Sequence, residues 1–575
     1  MRRTQEGKAR RWSVAVGVLC ATLFGGCDRF NGNEEFTDLE WQRLSELSLW
    51  NDADPEVLRG IGKPPGDPSN LQVPPDGYPV AVDGTLAPAA ALGKLFFFDS
   101  RFSGPATASD WVGRVRPENA HIPMGTPINL ACVSCHDLNR AASDPLELAI
   151  SVGAGSIAAN APPLSNAAFF PLLHHNGRVD SLWSQALLVT EAGIVLNASR
   201  LEVAWTIWRA YRDRYQSLFA EPPLGDEATL RDLRGRLVTK GAQSGQCQLG
   251  ADGSCAGGCV AIAGAPGCWP RFPLAGAPRT KAAGETCLDP ADPSPTCCVH
   301  PLETPYNCMA AADRAEVDKV FVRFGKVIAA YEQTLVRGGS AFDRFMHEGK
   351  SSQALSPAAK SGARLFVTKA GCYDCHGTPL FSNRGFANIG VATTVPLDLT
   401  TADCPAGNAA CDCATGGATS LTSCLPWGAL TGLELLRRFP LSRTSAASDN
   451  QQDPTVAGFL AAAWPNVPQG PPDATGIPDP LPSTLKWAWK IPSLRDVAVT
   501  APYMHNGRYA TLEEVIDHYD RGGDPQAPGV PAPALKPLLL TAEEKAALVA
   551  FLKSLTSAPW PPSISAPPTL PAEAP

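Results

Sequence analysis

Two short runs constrain this chain more than anything else in it. ACVSCHD, residues 131–137, sets Cys132 and Cys135 two residues apart with His136 directly after. GCYDCHG, residues 371–377, repeats the arrangement with Cys372, Cys375 and His376. At that spacing both thiols can bond one edge of a porphyrin while the adjacent imidazole reaches the metal at its centre. The pattern predicts two covalently attached c-type haems, with His136 and His376 each filling one axial face of an iron. What fills each second face decides between carrying electrons and doing chemistry. The plainer reading of each run is free or disulfide-bonded cysteines beside an unrelated histidine. Zinc is weaker still, because neither run has a second Cys/His pair at ligand spacing nearby.

Residues 1–26 read as a lipoprotein-type signal peptide. Arg2, Arg3, Lys8, Arg10 and Arg11 precede the apolar run WSVAVGVLCATLF, which is too short for a comfortable membrane span. LFGGC then resembles a lipoprotein cleavage box, with Cys27 as the lipidated residue. The expectation is an exported, periplasmic, membrane-anchored protein, an address that suits covalent haem. A net charge of −8 gives no basic patch and argues against a nucleic-acid partner. Eight cysteines lie between Cys247 and Cys308 and four between Cys404 and Cys424. Even clusters in an exported chain read as disulfide-stapled insertions, ahead of a metal cluster, since spacings are irregular and only His300 lies near. Pro at 55 of 575 residues adds long irregular segments.

Elsewhere the periodicity is helical. SRLEVAWTIWRAYRDRYQSLF puts Leu201, Ala204, Trp208, Tyr211, Tyr215 and Leu218 on one face behind a Ser199/Glu202 capping box. Helices are also expected after Asp313, with Gly338 past the end, from Pro357 behind Ser356, and from 542 behind Thr541 and Glu544. The fold class is mainly α, with two cytochrome c-like haem domains and long irregular, disulfide-rich insertions. After the signal peptide come a linker (27–85), the N-terminal haem domain (86–240) and a Cys-rich insertion (241–310). A connecting helix and the start of the C-terminal haem domain follow (311–392). A Pro/Cys-containing insertion (393–485), the rest of that domain (486–557) and a disordered Pro-rich tail (558–575) complete the chain.

LGKLFFFDSRFSG (92–104), NAPPLSN (160–166), NGRVDSLWSQAL (176–187), FGKVIAAYEQTLV and IPSLRDVAVTAPYMHNGRYATLEEVIDHYDRGG (491–523) accompany the two haem motifs. In this order they resemble the di-haem cytochrome c peroxidases, and more closely their MauG-type branch. The resemblance implies two haem domains meeting at an interface, with hydrogen peroxide reacting at the N-terminal haem. It places Tyr519 where the peroxidases have a Met ligand to the second iron and MauG-type enzymes have a Tyr. The residues agree as far as they go, because Leu512, Val515, Ile516 and Tyr519 share one helix face behind Thr511 and Glu514. His518 and Met504 are rival ligands. The resemblance also implies a calcium ion between the domains, held by Asn160, Thr500 and Pro502, all of which offer hard oxygens.

The chain departs from that family at three places. Ala154 stands where many peroxidases have a blocking His, and residues 137–173 contain no His or Met, so the first iron is expected to be open. Gln185 matches the family's Gln, but its Glu position falls on Val195, which leaves Glu191 as a substitute proton carrier. His175 replaces a Trp between the haems. The reading is a peroxide-reactive oxidoreductase that takes electrons from a small cytochrome or a protein substrate. A di-haem electron carrier without turnover is the alternative, one that Val195 and His175 strengthen.

Overall fold

The computed structural model describes residues 36–48, 86–104, 127–145, 151–224, 259–261, 268–270, 311–392, 428–448, 477, 481 and 483–572, apart from 155, 158, 194, 444 and 446. The signal peptide with Cys27, the linker and most of both cysteine clusters lie outside them. Cys259 and Cys268 fall within them as backbone only.

The helices in chain order are α1 (Asp38–Glu46), α2 (Pro88–Phe98), α3 (Cys132–Cys135), α4 (Leu182–Glu191), α5 (Arg200–Thr206), α6 (Arg212–Phe219), α7 (Ala311–Glu332), α8 (Ala341–Glu348), α9 (Pro357–Val367), α10 (Tyr373–His376), α11 (Ala429–Arg438), α12 (Leu512–Asp520), α13 (Ala542–Lys553) and α14 (Pro562–Ser565). Strand content is three two-stranded antiparallel sheets among the described residues. The expected caps form: Ser199, Thr511 and Thr541 each close a capping box, and Ser356 accepts from Ala359 N ahead of Pro357. A π turn at Ile207–Tyr211 joins α5 to α6, so the single helix expected there is interrupted. α7 ends at Glu332, six residues before Gly338.

Two hydrophobic cores result. In the first, α2, α4 and α5 pack on α7 around Phe96, Phe102, Tyr211 and Phe324, with Phe96 edge-on to Tyr211 at 4.9 Å. In the second, α9 and α13 enclose Phe342, Phe366, Phe381 and Phe551. α9 and α13 approach so closely at Gly362 that a Cβ there would lie 1.9 Å from the Ala547 carbonyl oxygen. No helix among the described residues is long and apolar enough to cross a membrane.

Two expectations change. The Pro-rich tail is ordered where described: Trp560 is buried, Arg337 lies 4.7 Å over its ring, and Tyr331 and Lys94 donate to the carbonyls of Ile564 and Ser563. Proline supplies pre-set φ without a ladder, and Trp560 and Ile564 supply the apolar anchors that composition alone hid. The insertion at 393–485 contains α11, whose Leu433 and Leu436 pack on Leu172, Ile477 and Leu485. It is therefore built into the first haem domain along part of its length.

The chain also repeats itself. His175-Asn176-Gly177-Arg178 recurs 330 residues later as His505-Asn506-Gly507-Arg508. Around both copies the backbone does the same things. A 3₁₀ turn follows a left-handed Asn166 or Asp496 (φ 60° and 61°), and an isolated bridge pairs Leu173 with Val179 or Tyr503 with Tyr509. Left-handed His174 or Met504 precedes the motif (φ 59° and 70°), and Ser181 or Thr511 caps the next helix. The copies meet at Arg337. Its backbone N–H donates to Asn166 Oδ1 at 2.9 Å, and its Nε lies 3.4 Å from Asp496 Oδ2.

Candidate haem sites

At the C-terminal site α9 leads into the short α10, which carries the second motif. Cys372, Cys375 and His376 line a cavity that α12 also lines, through Leu512, Val515, Ile516 and Tyr519. His376 Nδ1–H donates to the Phe381 carbonyl at 2.6 Å. A carbonyl can only accept, so the tautomer is fixed and Nε2 keeps its lone pair for a metal. Burial lowers the pKa of this imidazole to about 4, so it is neutral. Burial likewise pushes the Tyr519 phenol well above its ordinary value, with Cys372 and Cys375 adding to the shift. His518 is no rival, because Nδ1 lies 3.0 Å from the Tyr509 hydroxyl and Nε2 donates to Ile389 O at 2.8 Å. Met504 does line the cavity, beside Tyr519.

At the N-terminal site His136 Nδ1–H donates to Ala142 O at 2.9 Å, which again leaves Nε2 free. The four motif cysteines are not disulfide-bonded, which removes the disulfide half of the plainer reading. Among the described residues there is no cluster of three or more His, Cys, Asp or Glu side chains suited to a metal ion. Paired thiols, an oriented imidazole and an apolar slot fit a covalently held haem.

The other expected residues separate into those the fold brings to a haem site and those it does not. Gln185, on α4, is buried and corresponds under the repeat to Val515 on the C-terminal cavity wall. Glu191 is turned elsewhere: its carboxylate takes Arg200 Nε at 2.6 Å and Nη2 at 3.0 Å, and Arg200 also holds Asp318. Its repeat partner is Arg521, which does not line the C-terminal cavity. Val195 and Ala154, the two departures, are neighbours. Ala154 N donates to Val195 O at 2.7 Å, and both pack with Ile128, Leu130 and Leu196.

Between the domains, Asn160, Thr500 and Pro502 line the same cavity. Asn160 Nδ2 donates to Pro502 O at 3.2 Å, while Asn160 Oδ1 is buried with no hydrogen-bond partner. A buried orphan acceptor beside a carbonyl is a suitable corner for a hard cation. His175 donates through Nε2 to Asn160 O at 3.0 Å. His505 stacks on Trp489 with centroids 3.8 Å apart and planes at 14°, so an indole reaches the junction even though His175 is not one.

Sequence reasoning missed three groups here. Trp489 is one. Glu332 is another: it is 4% exposed, its Oε2 is unpartnered, and burial raises its pKa to about 8. Its charge is felt at Cys132. His174 is the third, with a buried Nε2 that has no partner. The HNGR repeat was the signal that could have found His174.

Residues 87–235 match the sequence family described as di-haem cytochrome c peroxidase. The chain is 30% identical over 250 residues to cytochrome-c peroxidase IdrP1 of Pseudomonas sp. (strain SCT), across 43% of this chain and 52% of that one. It is 28% identical to methylamine utilization protein MauG of Methylorubrum extorquens, across 40% of this chain and 43% of the relative. It thus spans about half the length of the curated relatives it matches. A crystal structure of a MauG-like protein associated with microbial copper homeostasis covers 87% of this chain and 97% of its own, at 20% identity and a TM-score of 0.43. Residues 87–235 therefore resemble the di-haem cytochrome c peroxidase family, and over about 40% of its length the chain is similar to cytochrome-c peroxidases and to a MauG protein.

Proposed function

We propose that the protein is an exported di-haem oxidoreductase that reduces hydrogen peroxide at the N-terminal haem and draws electrons through the C-terminal one. The observation that carries this reading is an asymmetry between equivalent helix positions. On α12 the repeat presents Tyr519 to the cavity containing His376, whereas on α4 the same position is Val189. A phenol oxygen closes one iron face, and a hydrocarbon leaves the other without a ligand from that helix.

Bound haem would supply redox-active iron at each site. The protein's own groups do the rest. His136 and His376, each oriented by one backbone carbonyl, hold the irons from one side. Cys132, Cys135, Cys372 and Cys375 fix the macrocycles. Tyr519, which lines the same cavity as Met504, would supply the second ligand to a haem held by His376, and a phenolate there would be a hard anion that favours the ferric state. Gln185 orients peroxide at the open face. The His505–Trp489 stack and His175 offer an aromatic route across the junction. Asn160 Oδ1 with the Thr500 and Pro502 carbonyls holds a calcium ion that braces the two domains. The donor is a small cytochrome or a protein substrate, and the address is periplasmic, with a lipid anchor at Cys27.

The apolar Ala154–Val195 contact favours the second reading, a di-haem electron carrier, since it puts hydrocarbon where the resemblance expects a carboxylate. The ferric electron paramagnetic resonance spectrum decides between them. An enzyme shows one high-spin and one low-spin haem, consumes peroxide and oxidises reduced cytochrome c as donor. Two low-spin haems inert to peroxide would establish the carrier.

A further inference from the structure

The reading above leaves peroxide reduction without the proton carrier that the family resemblance supplies, because Val195 stands at its carboxylate position and Glu191 is held by Arg200. Cleaving the O–O bond requires a group that takes a proton from the near oxygen and gives it to the far one. The described residues offer one imidazole for this that no other role occupies.

His174 sits in the left-handed region at φ 59°, fixed by the bridge between Leu173 and Val179 and by Gly177 at φ 75°. Its Nε2 is buried and has no hydrogen-bond partner. A buried polar nitrogen left unpaired costs stability, so its persistence points to a partner that the polypeptide does not supply. The repeat says where that nitrogen is aimed. His174 corresponds to Met504, which has the same backbone conformation and lines the same cavity as Cys372, Cys375 and His376. By that equivalence His174 would line the site held by Cys132, Cys135 and His136. Its electrostatic neighbours agree, since His136, His175, Arg178 and Lys490 all act on it. Burial first, then these neighbours, depress its pKa well below the ordinary value, so the imidazole is neutral. The turn is sealed from outside by α11. A Cβ at Gly432 would lie 1.8 Å from the Asn176 carbonyl oxygen, and Arg443 donates to Asp180 O at 3.0 Å and 2.7 Å.

We propose that His174 Nε2 is the distal proton acceptor of the N-terminal haem site, a role that rests on the peroxide-reactive reading. Met504 lines the same cavity as Tyr519, the residue proposed to reach the second iron, so the equivalent turn position would stand near an iron whose second face is the business of the helix. His174 therefore takes the proton of the near peroxide oxygen and returns it to the far oxygen as the O–O bond breaks, and that oxygen leaves as water. Over a full turnover one peroxide, two protons and two donor electrons give two waters.

Hydrogen cyanide tests this without turnover, because it binds ferric haem as cyanide and must lose its proton on the way in. His174→Met is the variant of choice, since the equivalent turn already carries Met504. Stopped-flow mixing of the ferric holoprotein with cyanide should show association slowed about 100-fold or more, the low end for a positioned base. The high-spin signal of the first haem should not change. An unchanged rate overturns the proposal. So does a wild-type first haem that is low-spin and turns high-spin in the variant, since His174 is then a ligand. If cyanide binding depends on His174 but the wild type does not consume peroxide, the distal base stands and the peroxidase reading falls. If peroxide turnover is the same in both proteins, the reading stands and His174 is not its base.

Discussion

Replacing Asp343 by alanine tests how the fold holds His376. Asp343 and Arg495 form a two-pronged ion pair, at 2.9 Å and 3.0 Å, with side chains 0% and 1% exposed. Arg495 Nε also donates to Pro379 O at 2.7 Å, Ser493 Oγ donates to Leu380 O at 2.7 Å, and Phe381 O then receives His376 Nδ1–H. The pair thus clamps the loop that orients the ligand. Asp343 also accepts from Ser340 N and Oγ at the start of α8. Deleting one member of a buried pair strands the other charge, at a cost of about 3–5 kcal/mol. Loss of the cap costs about 1 kcal/mol, and the two overlap. About 4 kcal/mol at a urea slope of roughly 2 kcal/mol/M lowers the midpoint by about 2 M. Soret circular dichroism during urea unfolding reads it. Burial alone would raise the Asp343 pKa, but Arg495 and Ser340 override it and the net shift is downward. A depressed carboxylate contributes stability above its unfolded pKa of about 3.9, and that contribution is lost as pH falls through the lower folded value. Wild type should therefore keep its advantage over the variant from neutral pH down to about pH 4 and lose it below. A midpoint shift under about 0.5 M, or Arg495→Met failing to recover stability in the Asp343→Ala background, would refute the reasoning.

Tyr519→Phe should abolish the low-spin ferric signal assigned to the second haem or replace it with one of different g values. An unchanged spectrum would leave Met504 as the ligand. Glu191→Gln should change the peroxide reaction less than about twofold, because its carboxylate is engaged by Arg200. Val195→Glu, which introduces a carboxylate beside Ala154, should accelerate that reaction if the contact faces the open iron. Calcium chelation should lower the melting temperature and broaden the inter-domain transition. Asn160→Ala should remove the response to chelator, and a response that persists would place the ion elsewhere.

The haem attachment residues were legible because covalent chemistry demands fixed spacing, and no tertiary context can alter which residues stand three and four apart. The capped helices were legible for a similar local reason, since Thr511 with Glu514 and Thr541 with Glu544 satisfy backbone donors within their own turn. The partner of Glu191 was not legible, because helix periodicity fixes a face but not its neighbour, and Arg200, nine residues on, pairs with the carboxylate. The ordered tail was hidden for the opposite reason. Proline-rich composition argues against helices and ladders, yet Trp560 needs only one apolar seat and one acceptor, which Val336 O provides at 3.2 Å.

The repeat explains how a chain of this kind becomes asymmetric. The same turn and the same capped helix were used twice, so the two sites differ only where single residues differ. Tyr519 faces Val189, Met504 faces His174, and Val515 faces Gln185. At the C-terminal site the polar group lies on the helix, where it can reach an iron, and the turn residue is a thioether. At the N-terminal site the helix offers hydrocarbon and an amide, and the imidazole has moved to the turn. On the proposed reading, exchanging which element carries the polar side chain would turn a closed iron face into an open one with a base beside it. That is the division of labour a peroxide-reducing pair of haems requires: one site that binds a small molecule and moves its proton, and one that only passes electrons.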